Sequence, residues 1–307
     1  MKNVQIWCGV VVVCVVACFA SCVKLGYLVK EAPSIEGASY VGTQKCLECH
    51  DEIGADFKKN IHNQLASFEV KGPAKGCETC HGAGSLHLEN VEEAKNILRF
   101  GKLTADQSSA VCLNCHNDPA KPWTSSVHIA QDLSCMSCHK IHKAKEKRLL
   151  KTKEVDLCYT CHREKQAQMN FPSHHPLREG KMKCSSCHNA HSPDKEFTTQ
   201  GTVNDLCYNC HAEYQGPFVF EHAPVSDDCG ICHDPHGTVA NNLLKQNQPY
   251  LCLRCHQGHN PNVEQSAQGG TAHTRQATFL TACTQCHSTI HGTDLPSRAT
   301  GEGHFTR

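Results

Sequence analysis

Short α-helices and loops with very little β structure, wound around something other than their own side chains, are the fold class that three observations predict. The chain carries 24 cysteines in 307 residues, a density met where disulfides, metals or cofactors stand in for an apolar core. Aromatic residues make up only 6% and mean hydropathy is −0.44. A chain this long could bury one or two real cores, yet it lacks the large apolar side chains to fill them. Thirdly, most of the cysteines recur in one short pattern, each time with a histidine.

The first 24 residues differ in kind. "IWCGVVVVCVVACFASCV" (6–23) holds no charge between Lys2 and Lys24, which fits an export signal, a lipoprotein signal or a membrane anchor. "FASC" (19–22) resembles a lipoprotein cleavage box with Cys22 as the lipidated residue, although Phe19 departs from the usual aliphatic position. All three versions put the remainder of the chain outside the inner membrane. Cys8, Cys14 and Cys18 then read as small apolar residues. Residues 25–39, with "EAPSIEGAS" (31–39), form a polar linker. Acidic and basic residues balance at 30 each, so nothing points to nucleic acid. The clearest basic cluster, "HKAKEKR" (142–148), lacks interleaved aromatics and reads as a solvated face.

Beyond the export segment every cysteine belongs to a C-x-x-C-H. The ten pairs are Cys46 and Cys49, Cys77 and Cys80, Cys112 and Cys115, Cys135 and Cys138, Cys158 and Cys161, Cys184 and Cys187, Cys207 and Cys210, Cys229 and Cys232, Cys252 and Cys255, and Cys283 and Cys286. The histidines that follow are His50, His81, His116, His139, His162, His188, His211, His233, His256 and His287. With 23 histidines in the chain, ten such coincidences by chance have odds of roughly 10⁻¹¹, so the motif is chemical. Two thiols at this spacing add to the two vinyl groups on one edge of a haem, and the next histidine reaches the iron. Zinc prefers four tetrahedral ligands from paired knuckles, and a disulfide has no use for the histidine. The predicted architecture is therefore a multihaem cytochrome c, wrapped around an elongated array of ten covalently bound c-type haems over residues 40–300, with a tail at 301–307. The porphyrins serve as the core.

Thirteen histidines remain: His62, His87, His128, His142, His174, His175, His191, His222, His236, His259, His273, His291 and His304. Taken in pairs, the motifs form five two-haem repeats starting near residues 46, 112, 158, 207 and 252. A middle histidine (His62, His128, His174, His222) follows the first motif by 11 or 12 residues. A trailing histidine follows the second: His142, His191 and His236 at +3, His291 at +4 and His87 at +6. His236 cannot reach the far face of the porphyrin that His233 holds. If the segment is a helical turn, the two share a side, and His236 serves a different haem. His174 competes with His175, and His259 with His273, while His304 lies in the tail. Outside the start the methionines are Met136, Met169 and Met182, and histidine supply covers ten sixth ligands without them. Low-potential, six-coordinate haems are expected throughout. With no vacant iron, no C-x-x-C-K and no phosphate loop or hydrolase motif, the chain reads as an electron carrier rather than an enzyme.

The run "CLECH…CETCH…CLNCH…CMSCHKIH…CYTCH…HPL…CSSCHNAH…CYNCH…EHAPV…CGICHDPHG…CLRCH…CTQCHSTIHG" resembles the MtrA/DmsE-type decahaem cytochromes over about residues 40–297. "HPL" (175–177), "EHAPV" (221–225) and the closing "HG" (291–292) are more particular than the haem motifs. The resemblance implies an elongated helix-and-loop protein on the periplasmic side of the outer membrane. It would sit in a β-barrel porin, between a periplasmic or inner-membrane cytochrome donor and an extracellular multihaem cytochrome or reductase. It implies a distal set of His62, His87, His128, His142, His175, His191, His222, His236, His259 and His291. The other role open to the chain is a soluble or lipid-tethered periplasmic shuttle to a terminal reductase of the DMSO-reductase type.

Overall fold

The computed structural model describes residues 31–63, 76–117, 123–191, 200–256 and 281–296. The export segment with Cys22, His259, His273, His304 and the tail lie outside the described residues. The chain divides into two compact units, Met1–Leu149 with His191–Lys195 and Leu150–Ala190 with Glu196–Arg307.

The first unit contains α1 (Thr43–Leu47), α2 (Asp51–Phe57), α3 (Cys77–His81), α4 (Ser85–Glu89), α5 (Ala105–Leu113) and α6 (Cys135–Cys138). The second contains α7 (Glu154–Tyr159), α8 (Arg163–Gln168), α9 (Val203–Tyr208) and α10 (Ala223–Asp227), with 3₁₀ turns carrying the motifs at Cys184, Cys229, Cys252 and Cys283. Strand pairing among the described residues is confined to isolated antiparallel bridges, Ser173–Thr238, Phe220–Thr293 and His233–Leu244. The longest helix among the described residues, α5, has nine residues, too few to hold alone in water. Attachment and packing must stabilise these elements.

The motif makes one helical turn wherever it occurs. The histidine N–H donates to the carbonyl of the first cysteine at 2.9–3.0 Å in the motifs at Cys46, Cys112, Cys135, Cys158, Cys184, Cys207, Cys229, Cys252 and Cys283. One such turn brings both thiols and the imidazole to one place, as attachment to a single porphyrin edge requires. Side chains seat the turns locally. Thr104 and Gln107 form a capping box ahead of α5 (3.2 and 3.0 Å). Buried Asn204 spends its whole amide fastening α9 to α10 and the next motif, donating to the Val225 and Ser226 carbonyls (3.0 and 3.1 Å) and accepting from the Cys229 N–H (2.7 Å). Glu78, inside the second motif and 2% exposed, accepts from the N–H groups of Val41 (3.0 Å), Gly42 (2.8 Å) and Gly84 (2.9 Å). It latches the entering chain onto that motif.

The apolar interior is thin. Among the described residues it comprises Ala83, Leu98, Ala110, Val111, Trp123 and Ile129 in the first unit, and Met169, Leu177 and Ala240 in the second. Three buried side chains among the described residues offset little of the entropy of ordering them, so groups other than apolar side chains must contribute stabilising contacts.

Candidate haem sites

The thiols of successive motifs adjoin in an alternating pattern. First cysteines meet within a repeat: Cys46 with Cys77 and Cys112 with Cys135 in the first unit, and Cys158 with Cys184, Cys207 with Cys229 and Cys252 with Cys283 in the second, each pair in hydrogen-bond contact. Second cysteines meet from one repeat to the next: Cys80 lies within electrostatic reach of Cys115, Cys187 of Cys210, and Cys232 of Cys255. Burial, then the facing thiol, pushes Cys46 and Cys252 up to about 11 and Cys207 up to about 12. Within each unit, consecutive motifs are thus neighbours in sequence order. None of the twenty motif cysteines is tied up in a disulfide. Among the described residues no three histidine, cysteine or acidic side chains converge as a metal cage.

The histidines face one another in pairs, each joining a motif histidine to one outside the motifs. In the first unit His62 faces His116 (ring centroids 5.9 Å), His142 faces His81 (5.8 Å) and His191 faces His139 (6.2 Å). In the second, the pairs are His175–His211 (6.4 Å), His236–His188 (5.8 Å), His222–His256 (6.1 Å) and His291–His233 (6.1 Å). Metal–imidazole bonds of roughly 2 Å on opposite sides of one ion put ring centroids about 6 Å apart. Middle histidines (His62, His175, His222) face the first motif of the following repeat. Trailing histidines (His142, His191, His236, His291) face the second motif of the preceding repeat. Burial, then the charges of Arg99 and His50, lowers the pKa of His87, which puts His87 within electrostatic reach of His50. Burial also lowers the pKa of His62, His142, His222, His236 and His291, holding them in the neutral form that binds metal.

His236 does not reach His188 by a helical route. His233 ends its turn in a bridge to Leu244, and the Asp234 carboxylate accepts from the His236 N–H at 3.0 Å. The separation of His233 from His236 is therefore achieved by a loop, whereas the sequence argument took a helical face.

Backbone carbonyls orient the rings, the usual outer support of a metal-bound imidazole. Nδ1 of His139 donates to the Arg148 carbonyl (2.9 Å), and Nδ1 of His233 to that of Asn242 (2.8 Å), nine residues on in each case. Both straps use two successive left-handed residues, Arg148 and Leu149 or Asn242 and Leu243, with φ of 56–58°. Both close by a second bond, Lys140 N–H to Leu149 and Asp234 N–H to Leu243, each 2.8 Å. The shared text "LLK" in "KRLLK" (147–151) and "NNLLK" (241–245) was the available signal, and motif counting missed it. His81 Nδ1 donates to Leu98 (2.8 Å), and His175 Nδ1 to Pro235 (2.7 Å). His174 differs: Nδ1 meets the Phe171 carbonyl (2.6 Å) and Nε2 meets Glu179 (3.3 Å), so both nitrogens are engaged.

Haem fits this arrangement. In His81, His139, His175 and His233 a carbonyl takes Nδ1 and leaves Nε2 for iron, and the facing thiols suit attachment along porphyrin edges. Buried polar atoms with no protein partner among the described residues, including Trp123 Nε1, Tyr159 Oη and His87 Nδ1, are groups to which a haem periphery would offer acceptors.

Repeated C-x-x-C-H turns with histidines facing in pairs define a multihaem c-type cytochrome, an electron-transfer protein with covalently bound haems. The family described as "Doubled CXXCH motif" matches residues 128–167, 174–216 and 222–261. Its unit starts at a middle histidine and spans the second motif of one repeat and the first of the next. Multiheme cytochrome MtrA of Shewanella baltica (strain OS185) is 38% identical over 267 residues, covering 83% of this chain and 80% of that protein. The chain belongs to the MtrA family of multihaem cytochromes.

Proposed function

We propose that this cytochrome is the periplasmic-side element of an outer-membrane electron conduit, holding ten bis-histidine haems within a β-barrel porin. The observation that supports the reading is the alternating approach of motif thiols, first cysteines in contact and second cysteines within electrostatic reach, which sets consecutive attachment sites near one another in each unit. Bound haem supplies a one-electron iron couple. The chain holds each iron by a motif histidine and a facing histidine: His116 with His62, His81 with His142, His139 with His191, His211 with His175, His188 with His236, His256 with His222 and His233 with His291. His87 completes the site of His50. His128 and His259 complete the distal set. Two imidazoles on every iron leave no position for a substrate, so electrons pass and nothing is transformed. Each haem brings two propionates, and the acidic holoprotein is steered to basic patches on its partners. Those partners are an inner-membrane or periplasmic cytochrome as donor and an extracellular multihaem cytochrome or reductase.

The uncharged segment at residues 6–23 supports export across the inner membrane, as a cleaved signal, an uncleaved anchor or a lipoprotein signal that would put a lipid on Cys22. The test is a mild-detergent pull-down of tagged protein from outer membranes. A large β-barrel at about 1:1 is the expected partner. Recovery only as a soluble or lipid-tethered monomer would overturn the conduit and favour a periplasmic shuttle.

A further inference from the structure

Trp123 begins the 3₁₀ turn Trp123–Ser125 and is 9% exposed. Its indole lies flat on His128 (centroids 6.4 Å, interplanar angle 14°) and edge-on to His191 (5.8 Å, 66°). His191 in turn faces His139. On the bis-histidine reading, His139 and His191 complete one iron, so His128 belongs to a different haem. One indole therefore touches axial ligands of two haems. The turn that carries it is tight: Ser126, 1% exposed, donates its N–H to the Trp123 carbonyl (2.9 Å) and accepts from the Ile129 N–H (3.4 Å).

The indole N–H is the feature that packing does not explain. Nε1 is buried and has no hydrogen-bond partner among the described residues. A buried indole N–H almost always finds an acceptor, because desolvating it without one is costly. Pyrrole nitrogens are committed to iron, which leaves the propionate carboxylates as the acceptors on a porphyrin periphery. We propose that Trp123 is a positioning residue that braces the axial histidines of two haems and donates its indole N–H to a haem propionate. This inference rests on the bis-histidine reading above. Donation draws charge from the carboxylate and raises that haem's potential, because less negative charge near the iron favours the ferrous form. Trp123 thereby sets the relative potentials of two haems in the array.

Trp123→Phe keeps a flat ring and removes the N–H, and Trp123→Leu removes the ring as well. Both are measured on the full chain with its haems, after haem content and low-spin electron paramagnetic resonance have been compared with wild type. In Trp123→Phe the midpoint of one haem moves negative while the g-values stay in place. A carboxylate band in the redox-difference infrared spectrum shifts with it. In Trp123→Leu the g-values of two low-spin haems move as well. A structural role alone would disturb g-values or haem loading and leave the Phe variant's potentials untouched. Ultraviolet resonance Raman of the wild type reads the indole N–H directly, and keeps the proposal testable if a variant fails to mature. A hydrogen-bonded marker that responds to haem reduction supports it. A marker that ignores reduction, or unchanged midpoints in a fully loaded Phe variant, overturns it in favour of a trapped water. A high-spin haem in the wild type itself would instead refute the bis-histidine reading, and is visible before any variant is made.

Discussion

Replacing Gly237 with alanine tests how the second unit holds its histidines. Gly237 has φ +156°, and a Cβ there would lie 2.1 Å from the Gln168 carbonyl oxygen and 2.9 Å from its carbon. That carbonyl closes α8 by accepting from the Phe171 N–H at 3.0 Å, so it cannot swing aside freely. The loop must back away instead. It would strain the Ser173–Thr238 bridge (3.2 and 2.9 Å) and the His175–Pro235 bond (2.7 Å). Overpacking costs roughly 1–3 kcal/mol and each lost hydrogen bond about 1 kcal/mol, so a loss of about 3–5 kcal/mol is expected. The damage should be local to two irons, those paired with His236 and His175. The assay is thermal melting together with electron paramagnetic resonance. Gly201→Ala, where nothing lies within 4 Å of the added carbon, serves as the control. The expected result is a lowered melting temperature and a high-spin signal worth one or two haems in Gly237→Ala alone. Wild-type melting and spin state in that variant would refute the steric argument.

Three further outcomes are expected. His174→Ala keeps every haem low-spin, because both ring nitrogens of His174 already bond protein groups, whereas His175→Ala exposes one high-spin haem in the ferric spectrum. Glu78→Ala strips the acceptor from three N–H groups and destabilises the first unit by roughly 3–5 kcal/mol; Glu78→Gln recovers part of this, as a melting series would show. Stability also falls in acid: burial lowers the pKa of His62 and His142 in the folded chain, with the facing histidine as the second cause. The unfolded chain therefore binds more protons below about 6.5, and melting temperature drops as pH falls through that range. A flat profile down to the carboxylate range would contradict this.

The haem sites were legible wherever chemistry needs a fixed local spacing. Cys229, Cys232 and His233 fit one turn of chain, and that turn reads directly from five letters. Their partner did not read out. His291 faces His233 from 58 residues away, and only folding brings them together. The straps were hidden for another reason: Arg148 and Leu149 adopt positive φ without glycine to advertise it. His174 and His175 are equal in a list of letters, and the Pro235 and Glu179 contacts tell them apart.

Pairing across repeats also predicts which haem a distal variant harms. His291 follows the motif at Cys283 by sequence, yet its ring stands 6.1 Å from that of His233, in the motif at Cys229. Gly292, with φ +126°, lets the loop pass close to Phe218, and the Phe220–Thr293 bridge (2.9 and 3.0 Å) holds it against the preceding repeat. His291→Ala should therefore open the haem attached at Cys229 and Cys232, leaving the one at Cys283 and Cys286 six-coordinate. A high-spin ferric signal worth one haem is expected in the single variant. Adding Cys229→Ala and Cys232→Ala removes that haem, and the high-spin signal should vanish with it. A high-spin signal that survives in the nine-haem protein would mean that His291 serves its own motif's haem, and the cross-repeat arrangement would fall. If it vanishes, a middle histidine passed forward and a trailing histidine passed back couple neighbouring repeats through iron. Removing a terminal repeat would then cost its neighbour an axial ligand as well as its own two haems.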